Sequence, residues 1–299
     1  MQDRLILAEP LRAISYAPYY LAEARGAFTR QGIDLRMETA GTPTLAAEAV
    51  LEGRADLAWS GPMGVMQHRA ADPASPLTAF CAVVMRDPFL IMGRRAREGL
   101  HLAELNGFRL GLVTEAPTPV WCLADAVART GGRKVKDRAG GTMAENMASL
   151  LAGKLDAIQV CEPFASAVEE AGGAVWFSQS SIGPMAYSSL YGTTQTLAAR
   201  RPAMRGMVRA LAETLRWMET APPGEIATLL EARFPDLPHA TRERAVARYQ
   251  AASLWTDGPH MPRTAFQALG EAMIRAGALS HIPDFGLCVD EAVVTEALA

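Results

Sequence analysis

Residues 41–62 read GTPTLAAEAVLEGRADLAWSGP, and residues 141–163 read GTMAENMASLLAGKLDAIQVCEP. Both segments contain a Gly-Thr pair, an apolar stretch, a Gly-x-x-Asp turn and a second apolar run that ends next to proline. Threonine caps a helix, glycine ends it in a left-handed turn, and aspartate opens a short buried strand. The recurrence predicts two similar α/β units. The alternative is a chance match, because a helix, Gly-x-x-Asp and a strand follow one another in many α/β proteins.

Strand and helix patterns alternate on both sides of these segments. The first half has apolar runs typical of strands at residues 5–8, 33–38, 57–60 and 78–85, with helices at 18–25, 44–52 and 63–70. The second half has strand patterns at 109–113, 135–138 and 157–160, with helices at 120–130, 143–152 and 164–171. This alternation is typical of an α/β fold with a largely parallel sheet. After about residue 205 only helical segments follow, which predicts a helical tail.

The candidate site follows from this fold class, because open α/β sheets bind ligands beyond the carboxyl ends of their strands. Two facing lobes would place these strand-end loops around one cleft. The candidates from the first lobe are Tyr16, Pro18, Tyr19, Thr42, Ser60, Gly61, Pro62, Met63 and Asp87. Those from the second lobe are Glu115, Thr118, Gln159, Glu162 and Tyr187.

The candidate residues offer several kinds of contact. A tyrosine after the first strand could contact a ligand with its ring and orient it through its hydroxyl. The alternative is that these tyrosines pack in the core. Thr42 and Thr118 begin predicted helices, where free N–H groups favour an anion, but ordinary helix capping is equally consistent. Gly61 would let the backbone approach a ligand closely.

Three acidic residues, Asp87, Glu115 and Glu162, fall at the predicted cleft. They favour a ligand that donates hydrogen bonds, such as an amine, an amidine or several hydroxyl groups, over a simple sulfonate. The alternative is that each carboxylate caps a helix or pairs with an arginine.

The composition excludes some functions. The chain has 299 residues, and its formal net charge of −3 comes from interspersed acidic and basic residues. At roughly 150 residues per domain, this length predicts about two domains. A nearly balanced charge provides no positive electrostatic field that attracts nucleic acid. No apolar run approaches the roughly 18 residues of a membrane helix. We therefore expect neither nucleic-acid binding nor membrane insertion.

Cysteines and catalytic motifs give little sign of chemistry. Cys81, Cys122, Cys161 and Cys288 are far apart, in apolar surroundings and without metal-ligand spacing. Buried free thiols are therefore expected, with one disulfide or a metal or catalytic role as the alternatives. The sequence contains no GxSxG, HExxH, P-loop or GxGxxG motif.

The sequence resembles the SsuA/THI5-like (NMT1) family of substrate-binding proteins over almost its whole length. The opening motif is residues 16–28, YAPYYLAEARGAF, followed by residues 31–35, QGIDL. The turn at 53–57, GRADL, its counterpart at 153–157, GKLDA, and the EPF triplet at 162–164 also match the family pattern.

This resemblance implies a type II periplasmic-binding-protein fold. Two Rossmann-like lobes would be joined by a hinge of two crossings, with the C-terminal helical tail packed on lobe one. Lobe one would comprise residues 1–90 and 190–299, and lobe two residues 91–189.

The resemblance also implies a solute-binding function. Members of this family capture small ligands, and a thiamine-type pyrimidine, a sulfonate or an aromatic acid is the expected class here. An ABC permease would be the partner, and we expect a monomer without a cofactor. The first twenty residues show no secretory signal, so the protein is expected either as a mature periplasmic form or in the cytoplasm.

Two alternatives remain on the same fold, a cytoplasmic enzyme of cofactor biosynthesis and a ligand sensor. The THI5-type pyrimidine synthase would need a lysine for pyridoxal phosphate and a cysteine cluster. The lysines of this chain are Lys134, Lys136 and Lys154, and none falls in a strand-end loop of lobe one.

Overall fold

The computed structural model describes residues 3–132 and 140–299. Its strands are β1 (Asp3–Glu9), β2 (Ile33–Thr39), β3 (Leu57–Ser60), β4 (Leu77–Val84), β5 (Leu90–Gly93), β6 (Leu110–Gly111), β7 (Ala157–Val160), β8 (Ala174–Ser178) and β9 (Ser188–Thr193). The strand predicted at 135–138 lies outside the described residues.

Helices follow most strands and make up the C-terminal third of the chain. Those in the first two thirds are α1 (Ala17–Ala24), α2 (Ala27–Arg30), α3 (Pro43–Leu51), α4 (Met63–Ala71), α5 (Thr118–Arg129), α6 (Met143–Leu151), α7 (Phe164–Glu170) and α8 (Thr194–Ala199). The remaining helices are α9 (Arg201–Thr220), α10 (Pro223–Leu229), α11 (His239–Ala251), α12 (Arg263–Arg275), α13 (Phe285–Cys288) and α14 (Glu291–Leu298). Within the described ranges, none of them is long and apolar enough to cross a bilayer.

The strands form two sheets, each at the centre of one lobe. The first lobe contains the order β2-β1-β3-β9-β4, and the second contains β6-β7-β5-β8. β1, β2 and β3 run parallel, as do β6 and β7, but β9 is antiparallel to β3 and β4. Likewise β5 is antiparallel to β7 and β8. Each sheet is therefore mixed, and the expectation of a largely parallel sheet is corrected.

The mixed topology arises because the chain crosses between the lobes twice. It leaves the first sheet at Val84 and enters the second at Leu90, then returns between Ser178 and Ser188. β5 and β9 are the strands that begin after each crossing, and both run against their neighbours. The prediction missed them together with β8, because a short apolar run without alternation does not distinguish a buried strand from other buried structure.

The two crossing segments, residues 85–89 and 179–187, lie side by side. The Met185 amide donates to the Met85 carbonyl at 2.9 Å, and the Tyr187 amide donates to the Val84 carbonyl at 3.0 Å. Farther along, the Gln179 amide donates to the Phe89 carbonyl at 2.9 Å. These hydrogen bonds join the two crossing segments to each other along the connection between the lobes.

The sequence repeat has the same local structure in both lobes. Thr42 accepts a hydrogen bond from the amide three residues later and so caps α3, and Thr142 caps α6 in the same way. Gly53 and Gly153 both adopt φ of 73°, in the left-handed region. Each is followed three residues later by an aspartate whose Oδ2 accepts a backbone amide of the neighbouring strand segment at 2.8 Å. The repeat in the sequence is therefore also a repeat in the structure.

The C-terminal helices contact both lobes. α9 packs on α1, α2 and β4 of the first lobe, whereas α11 packs on α7 and α12 packs on α5 of the second. Arg248 of α11 pairs with Glu162 and Glu169, and Arg275 of α12 pairs with Asp125. The prediction that the tail packs on lobe one therefore covers only part of its contacts.

Candidate functional site

A cavity lies between the two lobes, at the carboxyl ends of β1, β3 and β7. Its volume is about 40 Å³, well below the roughly 300–1,000 Å³ of typical ligand pockets. Its walls are Leu11, Ala13, Ser15, Tyr16, Pro43, Ser60, Gly61, Met63, Pro88, Phe89, Val113, Glu115, Ala116, Pro117, Thr118, Met143, Cys161 and Tyr187. Both lobes and both crossing segments contribute, so opening or closing of the lobes changes the size of the cavity.

An aromatic cluster supports the wall of the cavity in the first lobe. Tyr16 faces the cavity, and its ring lies 5.8 Å from the buried ring of Trp59. Tyr19 lies behind, stacked on Trp59 with ring centroids 4.4 Å apart and an interplanar angle of 6°. This packing holds Tyr16 in place, and it explains why Tyr19 is fully buried and does not line the cavity.

Tyr187 lines the cavity from the second crossing segment. Its backbone passes so close to Gly61 that a Cβ added to this glycine would lie 2.8 Å from the Tyr187 carbonyl oxygen. Only glycine allows this approach. The hydroxyl groups of Tyr16 and Tyr187 have no hydrogen-bond partner among the described residues, and both side chains are more than nine-tenths buried.

The two lobes touch across the cavity through Met63 and Thr118. Met63 begins α4 in the first lobe, and Thr118 begins α5 in the second; the Thr118 hydroxyl donates to the Met63 sulfur at 2.8 Å. The Cys161 thiol, deeper in the second lobe, lies 3.6 Å from the Met143 sulfur. The lobes are therefore in contact across the cavity, and Met63, Met143 and Cys161 are all among the residues that line it.

Glu115 lies at the exposed rim of the cavity. Its Oε2 accepts a hydrogen bond from the Met143 amide at 2.8 Å, the first amide of α6. A helix N-terminus attracts negative charge because its first N–H groups are unpaired and the dipole is positive there. At α6 this position is taken by a carboxylate of the protein itself.

Burial and then nearby negative charge raise the pKa of three side chains that line the cavity, Cys161, Tyr16 and Tyr187. Burial is the largest cause in each case. The carboxylates of Glu162, Glu115 and Asp87 raise the pKa of the Cys161 thiol further. The pKa of Tyr16 is raised by burial and then by Cys161 and Glu9, and that of Tyr187 by burial and then by Asp87.

The structure divides the predicted site residues into two groups. Those that line the cavity are Tyr16, Ser60, Gly61, Met63, Glu115, Thr118 and Tyr187. Those that do not are Pro18, Tyr19, Thr42, Pro62, Asp87, Gln159 and Glu162. Pro18 is buried in α1, Pro62 precedes α4, and the Thr42 hydroxyl accepts the Leu45 amide at 3.1 Å. Their roles are in the framework of the helices around the cavity.

Asp87 and Gln159 belong to a buried hydrogen-bond network at the hinge. Gln179, on the second crossing segment, donates to Asp87 Oδ2 on the first at 2.7 Å. Gln159 donates to Gln179 at 2.7 Å and to the Pro119 carbonyl at 2.9 Å. All three side chains are at most 2% exposed. Burial raises the pKa of Asp87 to about 7, although hydrogen bonds from the Phe89 amide and from Gln179 oppose this rise.

Glu162 points away from the cavity, into an ion pair with the C-terminal helices. Its Oε1 is 2.6 Å from Arg248 Nε, and its Oε2 accepts the Ser166 amide at 3.0 Å. The carboxylate therefore both caps α7 and joins the second lobe to α11. The expectation that Glu162 faces the cleft is corrected, in favour of the alternative of capping and arginine pairing.

Several cavity residues were not among the predicted site residues. Ser15, Pro88 and Cys161 lie in strand-end loops, so their position in the chain was a usable signal. Leu11, Phe89, Val113 and Met143 carry no such signal, because apolar residues of this kind also fill the core. Which apolar side chains reach the cavity depends on how the two lobes face each other.

A larger groove, of about 240 Å³, lies on the C-terminal helices. Its walls come from α9, α11 and the segment after α11, including Tyr249, Trp255 and Asp257. Among the described residues that line it, none is at a strand end and none belongs to the second lobe, so movement of the lobes would not enclose a ligand there.

The comparisons with known proteins agree with this architecture. The family model described as NMT1/THI5 like matches residues 13–225. YtlA of Bacillus subtilis (strain 168), whose name describes it provisionally as a binding protein, is 23% identical over 284 residues, which cover 93% of this chain and 85% of YtlA.

Solved structures show the same fold. The periplasmic aliphatic sulphonate-binding protein SsuA from Escherichia coli aligns with a TM-score of 0.77 at 14% identity, over 97% of this chain and 93% of SsuA. The periplasmic nitrate-binding protein NrtA from Synechocystis PCC 6803 aligns with a TM-score of 0.73 at 13% identity, over 99% of this chain and 88% of NrtA. The chain thus has the periplasmic-binding-protein type II architecture and belongs to the NMT1/THI5-like family.

Proposed function

We propose that this protein is the solute-binding component of an ABC import system, and that it captures a small polar or aromatic organic ligand between its lobes. The observation that carries the proposal is the cavity, which is lined by strand-end loops of both lobes and by both crossing segments. A ligand bound there touches both lobes at once. Binding energy is then available to hold the closed shape that a permease recognises.

The chemistry of the cavity favours binding over catalysis. Its buried thiol, Cys161, has a raised pKa and is therefore a weak nucleophile at neutral pH. The phenols of Tyr16 and Tyr187 also have raised pKa values, so they remain protonated and can orient a ligand by hydrogen bonds. The structural relatives named for their ligands are themselves binding proteins, which supports the same role here.

The proposal includes an extracytoplasmic location and a permease partner, because both belong to the import function. The ligand enters while the lobes are apart, since the cavity of about 40 Å³ is far smaller than the roughly 300–1,000 Å³ of typical ligand pockets. The paired crossing segments supply the hinge for this movement.

Ligand screening combined with a measurement of shape tests the function. We expect at least one compound in a panel of amines, pyrimidines, sulfonates, nitrate and aromatic acids to raise the melting temperature and to decrease the radius of gyration in small-angle X-ray scattering. Thr118→Trp should fill the cavity and abolish both effects. Trp217→Phe, on α9 outside the cavity, is the control. A ligand that stabilises the Thr118→Trp variant as strongly as the wild type would show binding elsewhere and contradict the proposal.

A further inference from the structure

The charge distribution of the cavity narrows the class of ligand, provided that the cavity is the binding site of the proposed function. Among the described residues that line it, none is lysine, arginine or histidine, whereas Glu115 brings a carboxylate. An anionic ligand in such a place would meet no cationic side chain and one negative charge. A cationic ligand would find a counter-ion.

Two arginines near the cleft, Arg248 and Arg86, are already engaged, whereas Arg12 is 44% exposed and lies 3.7 Å from Glu9. Arg248 lies behind the cavity wall and is paired with Glu162 and Glu169 at 2.6 and 2.5 Å. Arg86, on the first crossing segment, donates to the Ser180 carbonyl at 3.0 Å. Redirecting either side chain into the cavity would break contacts that the structure makes, so neither is a ready partner for an anion.

Two helix N-termini of the second lobe, those of α6 and α7, are occupied by carboxylates of the protein. Glu115 accepts the first amide of α6, and Glu162 accepts the Ser166 amide near the start of α7. These are the positions where a helix dipole would otherwise favour a ligand anion. The protein's own carboxylates neutralise them, and the Glu115 Oε1 atom has no hydrogen-bond partner among the described residues.

The other walls suit an organic cation. Tyr16, Phe89 and Tyr187 present aromatic rings, whose faces attract ammonium and guanidinium-like groups. Met63 and Met143 add polarisable sulfur. The two phenol oxygens without partners can each accept a hydrogen bond from an N–H donor.

We propose that the cleft binds a small organic cation, an ammonium or amidinium compound, with the Glu115 carboxylate as its counter-ion and as the residue that sets selectivity against anions. The starts of α4 and α5 also face the cavity and offer backbone amides to an anion. Anion binding at these two starts is therefore the competing outcome.

Two series of compounds with matched shape and different charge test this proposal. One comprises acetamidinium, acetamide and acetate, and the other comprises benzamidinium, benzamide and benzoate. Affinities are measured by isothermal titration calorimetry at low ionic strength. In the wild type, we expect the cation of at least one series to bind at least tenfold more tightly than its anion. Glu115→Gln should weaken cation binding about tenfold and leave the neutral compound within about threefold.

The control is Glu98→Gln, which removes the same charge from an exposed position of the second lobe outside the cavity. It should leave all affinities unchanged. Tighter binding of acetate or benzoate, with compaction of the protein, would overturn the charge assignment and leave the solute-binding function standing. Equal effects of Glu115→Gln and Glu98→Gln would overturn the role of Glu115. If no compound of either series or of the wider panel binds to the wild type, both the charge assignment and the solute-binding function fail.

Discussion

Arg248 of α11 and Glu162 at the start of α7 form an ion pair that joins the C-terminal helices to the second lobe, with Nε and Oε1 2.6 Å apart. The Glu162 carboxylate is fully buried, and the Arg248 side chain is 21% exposed. Tyr249, the next residue of α11, accepts the Glu162 amide through its hydroxyl at 3.0 Å. The two lobes are thus connected at this point as well as through the hinge.

Loss of the arginine should destabilise the protein strongly. Arg248→Met leaves Glu162 buried without its cation, which typically costs about 3–5 kcal/mol. Urea denaturation followed by circular dichroism measures the free energy of unfolding. The matched control is Arg244→Met, because Arg244 pairs with Glu170 on the surface and should cost less than about 1 kcal/mol. Similar small losses for both variants would contradict the importance of the buried pair.

The stability should depend on pH through Asp87 at the hinge. Burial raises the pKa of this carboxyl from 3.8 to about 7 in the folded state, so the folded protein holds the proton that the unfolded chain releases. Its contribution to stability is therefore full below pH about 4, is lost as the pH rises to about 7, and changes no further above it. A shift of this size corresponds to a loss of at most about 4 kcal/mol.

Asp87→Asn isolates this contribution. The difference in the free energy of unfolding between wild type and variant should fall as the pH rises from about 4 to about 7 and then remain constant. Denaturant titrations at several pH values measure it. A difference that is independent of pH would show that the carboxyl of Asp87 does not titrate in this range.

Two glycines separated by three positions should respond oppositely to alanine. A Cβ on Gly61 would lie 2.8 Å from the Tyr187 carbonyl oxygen, so Gly61→Ala must push the second crossing segment away. We expect a loss of about 1–3 kcal/mol in stability and at least a threefold loss in ligand affinity. Gly64 lies in α4 with no atom within 4 Å of an added Cβ. Gly64→Ala should therefore gain up to about 1 kcal/mol.

Thermal denaturation and calorimetric titration of the ligand found by screening compare the two variants. Because the two variants should change stability in opposite directions, a general effect of an added methyl group would not produce the expected result. Unchanged stability and affinity of Gly61→Ala would mean that the close contact between the Tyr187 carbonyl and residue 61 does not require glycine.

The thiols should report the movement of the lobes. All four cysteines are buried and free, and burial raises the pKa of each, which slows alkylation. Cys161 lines the cavity and becomes accessible when the lobes part, whereas Cys81 lies in β4 of the first sheet. A bound ligand should slow the labelling of Cys161 by N-ethylmaleimide at least fivefold and leave that of Cys81 unchanged. Peptide mass spectrometry reads both rates in the same sample.

Local signals account for the parts of the fold that the sequence predicted correctly. Thr42 and Thr142 cap helices, and Gly53 and Gly153 end them, because these roles depend only on backbone groups within a few residues. The strand at 57–60 was predicted with its observed bounds, since its apolar run lies between strong turn signals. Strands β5 and β9 were missed, because their pairing with strands far away in the sequence defines them.

The sequence alone determined the α/β class, the two similar units and the loops in which the site should be sought. Only the tertiary structure decided which side chains reach the cavity. Glu162 and Glu115 look alike as acids in strand-end loops, yet Glu162 meets an arginine 86 residues later in the chain and Glu115 meets the start of α6 at the cavity rim. Contacts across such distances depend on how the lobes and the C-terminal helices pack together. Local propensities do not encode this packing.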